Sequence, residues 1–227
     1  MAIKSLFPED NEKNTVFDVI FFAISIILIA LIIGVIVMYS TIRPFDIVGD
    51  SMEPNLHNGN TVIVQKNYSS PVRGDVVVIQ TTHVEDDGTS TQNYIIKRIV
   101  AIEGDKIGFI RSKSNSNIIY FYRDSGNGWE RVFEPYTKEY MTYSSSSVVF
   151  SKNIISIYND LDELVDGNYT VIEQGKFFAM GDNRNVSADS RKYGQFDVSS
   201  IAGKESFIYE KDSFYDFFFS LFFKNKN

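Results

Sequence analysis

Two patterns of apolar residues divide this chain. From Val19 to Tyr39 the sequence VIFFAISIILIALIIGVIVMY contains no charge. About 20 apolar residues in a helix span a hydrocarbon layer of ~30 Å. Within that helix every backbone polar group is satisfied internally, so lipid tolerates the many β-branched residues. A cleaved leader would show a shorter apolar core, ~7–15 residues, and a small-x-small cleavage pattern. Here MYSTIRP follows instead. A buried helix of a water-soluble fold would keep a polar face. Residues 16–40 are therefore read as a retained transmembrane anchor behind a short tail, 1–15. Lys4 and Lys13 precede the span and Arg43 follows it. This bias puts the N-terminus in the cytoplasm and the rest of a single-pass chain outside the cell membrane.

Beyond Pro44 the pattern changes to short runs rich in β-branched and aromatic residues. These are TVIVQ (61–65), VVVIQ (76–80), YIIKRIVAI (94–102), NIIYFY (117–122), VVF (148–150) and KFFAM (176–180). Turn signals separate them at 58–60, 73–75, 103–105, 126–128 and 166–168. The spacing predicts a mainly β domain over 41–212, a sandwich or partly closed barrel. Residues 106–170 are less regular, with SKSNSN, DSGNGW and SSSS between strand-like runs. They read as an insertion or subdomain, or as long hairpins of one sheet. The tail, 213–227, is Phe-rich, and its apolar run from Phe214 to Phe223 is too short to cross a bilayer as a helix. It suits an interfacial contact or a buried terminal element.

Composition narrows the chemistry. The 227-residue chain has 22 basic and 29 acidic residues, a formal charge of −7, which argues against a nucleic-acid partner. With no cysteine, a disulfide framework, a thiol nucleophile and a thiolate metal site are excluded. The two histidines, His57 and His83, leave no basis for a multi-histidine metal site. No metal or cofactor is expected.

Four segments carry polar groups suited to catalysis: GDSMEPNLHNGN (49–60), RGDVVVI (73–79), YIIKRIVAIEGD (94–105) and MGDNRNVSADSRKYGQF (180–196). In the third, Lys97 interrupts an apolar strand. Alternation places Ile95, Lys97 and Ile99 on one face and Ile96 and Arg98 on the other. Burial disfavours an ammonium and lowers its pKa. A neutral amine can then take a proton from a serine hydroxyl, lysine standing where histidine commonly serves. The bland alternative is a lysine at a sheet edge with its head in water. Ser51 alone is equally open, since a Gly-Asp-Ser turn commonly bonds only to nearby backbone.

Taken together and in order, the four segments resemble the conserved boxes of bacterial type I signal peptidases, a Ser/Lys protease family. GDSMEPNL resembles the Ser-Met-x-Pro-Thr-Leu box, RGDVVV the Arg-Gly-Asp box, KRIVAIEGD the lysine box and GDNRNVSADSR the final box. With the anchor, the likeness covers residues from about 16 to 205. It implies a mainly β, signal-peptidase-like catalytic core with an inserted subdomain behind one N-terminal transmembrane helix. It assigns Ser51 as nucleophile and Lys97 as general base, with Ser187 orienting the lysine amine. The Ser51 N–H would contribute to the oxyanion hole. Arg98, Asp182, Arg184, Asp189 and Arg191 would form a supporting polar network. Phe45, Ile47, Met52, Leu56, Ile95 and Ile96 would line small apolar pockets.

The implied substrate is an exported preprotein with small residues at the first and third positions before the cut. The bilayer, and the export machinery, are the implied partners. The chain departs from the motifs at four places. Asn55 stands for the usual threonine, Ala101 for a glycine and Asn185 for an aspartate. Gly49 stands where some relatives place a serine that serves the oxyanion hole. Two other readings share some of these features. A self-cleaving repressor would need a DNA-binding head where the anchor stands. A catalytically inactive relative assisting pilus or surface-protein assembly would have lost the serine or the lysine.

Overall fold

The structure is a computed structural model that describes residues 12–84, 90–142, 151 and 154–209. The strand-like run at 148–150 and the Phe-rich tail lie outside the described residues. The chain separates into two units, Met1–Thr41 and Ile42–Asn227.

In the first unit the apolar run forms a single helix, α1 (Glu12–Thr41). Its Phe17–Thr41 stretch of 25 residues is apolar enough to cross a membrane, and its most apolar window is not buried among the described residues. At 1.5 Å per residue that stretch is about 38 Å long. Apolar side chains occupy every face: Ile26, Ile27, Leu28 and Ile29 are consecutive and all exposed. The hydroxyls within it close back on the helix, Ser25 Oγ donating to Phe21 O at 2.8 Å and Thr41 Oγ1 to Val37 O at 2.8 Å. Such bonds remove the cost of carrying a hydroxyl into an apolar medium.

The second unit is mainly β. Its strands are β1 (Ile42–Asp46), β2 (Thr61–Gln65), β3 (Val76–Val84), β4 (Ser90–Ile102), β5 (Lys106–Arg111), β6 (Ile119–Asp124), β7 (Trp129–Arg131), β8 (Ile157–Tyr158), β9 (Thr170–Val171), β10 (Lys176–Met180), β11 (Phe196–Asp197) and β12 (Ile201–Tyr209). Two short helices, α2 (Leu161–Val165) and α3 (Ser190–Tyr193), complete it. One sheet has the order β1-β2-β12-β3-β4-β10-β11, and all its pairings are antiparallel. This sheet curls on itself. Phe45 on β1 reaches Tyr94 on β4, ring centroids 5.0 Å apart, although three strands separate them in the order. The curl encloses Ile47, Met52, Leu56, Val62, Val64, Val76 and Val78 as one buried cluster. Of the sandwich or partly closed barrel expected from the spacing of the strands, the curl gives the barrel.

The second sheet, β7-β6-β5-β8 with β9 also on β5, draws all its strands from residues 106–171. Its Ile107, Phe109, Ile119 and Phe121 share a core with Val100, Ala101, Phe178 and Met180 of the first sheet. Each buried aliphatic or aromatic side chain there contributes roughly 1.5–3 kcal/mol, so the two sheets are firmly joined.

Candidate active site

Three pieces of chain meet at one end of the curled sheet: the loop between β1 and β2, the middle of β4, and the segment that leaves β10. The sheet register explains the meeting. Arg98 pairs with Met180, the last residue of β10, so residues 181–191 emerge beside Lys97 and Arg98. One residue upstream the ladder skips, Ala101 facing Phe178 and Ile99 facing Ala179. Val100 is the extra residue of this bulge, a device that re-aims neighbouring side chains. Ile95 and Ile99 join one apolar cluster and Ile96 another, as the alternation requires.

The loop that carries Ser51 is closed at its base by Ile47 N donating to Asn60 O and Gly59 N donating to Ile47 O, both 2.9 Å. Inside it, Asn55 N and Leu56 N both donate to Met52 O at 3.1 Å. Met52 and Leu56 point into the barrel and are 1% exposed. Gly49 has φ +85, a conformation that side-chain-bearing residues resist. Its glycine is thus required by the backbone, whatever hydroxyl a serine there would supply. Asn183 grips the loop, its N–H donating to Ser51 O and its Nδ2 to Asp50 O, each at 3.1 Å.

Lys97 is 3% exposed. Its Nζ donates to Ser51 Oγ at 2.9 Å and to Ile96 O at 2.7 Å. Burial lowers its pKa from the ordinary 10.5 to about 8, the charges of Asp189 and Asp182 opposing and that of Arg191 assisting. A lysine in this state exchanges its proton near neutrality.

Around the pair lies a largely buried polar network. Asp182 accepts Arg98 Nε at 2.8 Å and Nη2 at 2.6 Å. Asp189 accepts Arg191 Nε at 2.9 Å and Nη2 at 2.7 Å, and also the Gly181 N–H at 3.0 Å. Burial alone would raise the Asp189 pKa, but Arg191 and the Gly181 N–H hold it below the usual carboxylate value. Arg184, fully buried, donates through Nη1 to both Glu134 oxygens, at 2.8 and 2.7 Å. Three buried atoms of this network remain short of partners among the described residues: Ser187 Oγ, Asn183 Oδ1 and Arg184 Nη2 make no hydrogen bond. The Ser187 side chain, facing the Asp189 carboxylate, also helps to lower its pKa. The resemblance has it orienting the Lys97 amine; here the two are not bonded.

Gly181 shows how close Ser187 nevertheless lies. A β-carbon built there would stand 2.3 Å from Ser187 Oγ and 2.3 Å from Ser51 O. The two oxygens are therefore no more than twice that distance apart.

Of the six pocket residues expected from the resemblance, Ile47, Met52 and Leu56 belong to one buried cluster, with Phe45 and Ile96 packed against it. Ile95 instead packs with Val77, Ile79 and Ile99. Met52 and Leu56 are sealed, so in this state they form the floor beneath a surface lined by Phe45 and Ile96. Sequence reading missed Gly181, Asn183 and Glu134, and named Asn55 only as a departure from the motif, without its partners. The first two sit inside the final motif and could have been singled out there. Glu134 has no local signal, since only the fold brings it to Arg184.

A serine hydroxyl against a buried amine, with a rigid scaffold of ion pairs behind them, has the parts of a serine-hydrolase site. The comparison with known proteins agrees. The family model "Signal peptidase, peptidase S26" matches residues 19–210, and the chain belongs to that family. Two relatives resemble it along most of their length. A signal peptidase I of Bacillus licheniformis is 27% identical over 203 residues, 88% of this chain and 91% of the relative. Signal peptidase I P of Bacillus subtilis subsp. natto is 30% identical over 205 residues, 88% of this chain and 92% of the relative. A signal peptidase I structure from Enterococcus faecalis covers 60% of this chain and 97% of that chain at 22% identity, with a TM-score of 0.34, too loose a superposition to carry weight. Family membership makes the chain a serine peptidase of the kind that removes signal peptides, with preproteins as substrates. The apolar helix α1 fits a single-pass membrane protein.

Proposed function

We propose that this chain is a membrane-bound endopeptidase that cuts signal peptides from exported preproteins after small residues, using Ser51 and Lys97. The observation that carries the reading is the 2.9 Å approach of Lys97 Nζ to Ser51 Oγ, with Lys97 buried and its pKa near 8. In the neutral amine one N–H stays on Ile96 O, and the lone pair accepts the Ser51 proton as Oγ attacks the scissile carbonyl. The Ser51 N–H stabilises the oxyanion that forms. Lys97 then passes its proton to the leaving amine, giving the acyl-serine and a free N-terminus. Water attacks the acyl group, again losing its proton to Lys97, and Ser51 is regenerated.

Asp182, Asp189, Arg98, Arg184 and Arg191 hold the loops rather than meet substrate. In this reading Ser187, packed beside Gly181, orients the Lys97 amine. The surface over Ile47, Met52 and Leu56, flanked by Phe45 and Ile96, accepts alanine-sized side chains and rejects larger ones by overlap. The N-terminus lies in the cytoplasm and the catalytic unit on the outer side of the cell membrane. Extended at ~3.3 Å per residue, the chain between Thr41 and Ser51 keeps the nucleophile within about 33 Å of the end of the helix. Cleavage sites of membrane-inserted signal peptides lie within that reach, beside the export machinery. An inactive assembly factor has no use for the retained hydroxyl–amine contact.

The test is incubation of the purified chain with a model preprotein, followed by mass analysis of the products. Wild type should release one fragment cut after a small-x-small pattern. Ser51→Ala and Lys97→Ala should each release none while keeping the wild-type circular dichroism. Substantial cleavage by either variant refutes the assignment.

A further inference from the structure

The segment from Glu134 to Thr142 comes from the stretch that builds the second sheet, yet its bonds go to the active-site loops. Glu134 pairs with Arg184, both contacts under 3 Å. The Tyr136 ring lies against the Arg98 guanidinium, 4.3 Å from its carbon. Lys138 N donates to Asp182 O at 3.4 Å. Asn185 Nδ2 donates to Tyr140 O at 3.1 Å, while its Oδ1 accepts Thr142 N and Oγ1 at 2.8 and 3.0 Å. Burial, and then Glu134, raise the Tyr136 hydroxyl to about 12, so it stays a neutral donor to Glu134.

The far end of this arrangement is Asn55. Its Nδ2 donates to Tyr136 O at 2.7 Å and to Asp182 Oδ2 at 2.8 Å. Both partners are pure acceptors, so the amide orientation is settled by chemistry. We propose that Asn55 is a positioning residue for Ser51, and that residues 134–142 are a brace that holds the nucleophile loop through it. The reasoning is a count of hydrogens. An amide nitrogen has two and here spends one on each of two separate elements. A threonine hydroxyl, the motif's usual occupant, has one and can serve only one of them. Asn55 is tied by its own backbone N–H to Met52, next to Ser51. Asn183 holds Ser51 and Asp50 by their carbonyls. The loop is thus anchored at two points, and the brace supplies one of them. Asn185, a second departure from the motif, attaches to the same segment.

This inference rests on the peptidase reading for its kinetic arm but not for its structural arm. In the kinetic arm the full chain in detergent cleaves a preprotein, as wild type, Asn55→Thr, Tyr136→Ala and the double variant. Losing one well-placed hydrogen bond lowers kcat about fivefold in Asn55→Thr, with KM within twofold of wild type. The double variant should be no slower than the slower single one, because Tyr136→Ala removes the ring and hydroxyl contacts that fix the carbonyl Asn55 binds, so both changes loosen the same brace. A wild-type kcat in Asn55→Thr, a change confined to KM, or additive losses in the double variant overturns the brace.

In the structural arm, amide hydrogen exchange at Asn55 and Leu56 should quicken at least tenfold in Tyr136→Ala, and that of β5 and β6 should not. Asn55→Thr should reciprocally quicken exchange at Lys138, which decides the matter if Tyr136→Ala does not fold. Unchanged exchange at both places refutes the brace. Wild type that cuts no preprotein sinks the peptidase reading and leaves the exchange data to judge the brace alone.

Discussion

Gly181→Ala adds a single methyl group at the place where the catalytic segments touch. The backbone of Gly181 does not lie in the left-handed region that Gly49 and Gly104 occupy, so alanine meets no conformational penalty there. What it meets is atoms: Ser51 O and Ser187 Oγ at 2.3 Å each, and Ser187 Cβ at 2.6 Å. Ordinary contact to carbon begins near 3.5 Å, so about 1 Å of clearance must be found. Ser187 can swing its hydroxyl aside, but the Ser51 carbonyl is backbone and takes the nucleophile with it. Displacing a reacting group by ~1 Å costs on the order of 100-fold in rate, or about 2.7 kcal/mol of barrier. Overpacking a well-filled site also costs stability, roughly 1–3 kcal/mol. The assay is single-turnover cleavage of a preprotein, with a urea melt on the same sample. Gly108→Ala is the control, since its β-carbon would meet the movable Leu164 side chain at 2.4 Å, away from the site. It should lose stability and keep its rate. A folded Gly181→Ala that cleaves at the wild-type rate refutes the reasoning.

Two further outcomes follow from the buried charges. The folded-state pKa of Lys97, about 8, lies below the ordinary 10.5. Between those pH values the unfolded chain binds a proton that the folded chain lacks, so this group makes stability rise with pH across the window, by about 3 kcal/mol in all. In Lys97→Met that rise disappears, so from pH 7.5 to 10.5 urea melts should show wild type gaining about this much stability relative to the variant; a constant difference refutes it. Glu134→Gln removes the charge paired with fully buried Arg184. Breaking such a pair from one side costs about 3 kcal/mol or more, a fall of roughly 10 °C in melting temperature, and a melting temperature within 2 °C or so of wild type counts against the pairing.

Much of this was legible locally. TVIVQ and KFFAM alternate or run apolar without interruption, and both are strands over the residues the pattern marks. Lys97 stood out because a charge inside an apolar strand is expensive unless used. The last described strand was not legible. In IAGKESFIY the alternation is broken by Lys204 and Glu205, and the strand slips register against both neighbours. Nothing local says that it inserts between β2 and β3, where Gly203 lets it approach Val64. Glu134, and the partners of Asn55, were invisible for a related reason. The residues that pair lie far apart along the chain, and an acceptor for a side-chain amide has no sequence period.

The rate of preprotein cleavage as a function of pH tests the central claim most directly, because a buried amine acting as base must lose its proton before it can work. From pH 5.5 to 10, kcat/KM should rise tenfold per pH unit, bend near pH 8 and then level off. A profile that is flat between pH 6 and 9, or that bends near the histidine value of about 6.5, contradicts the account.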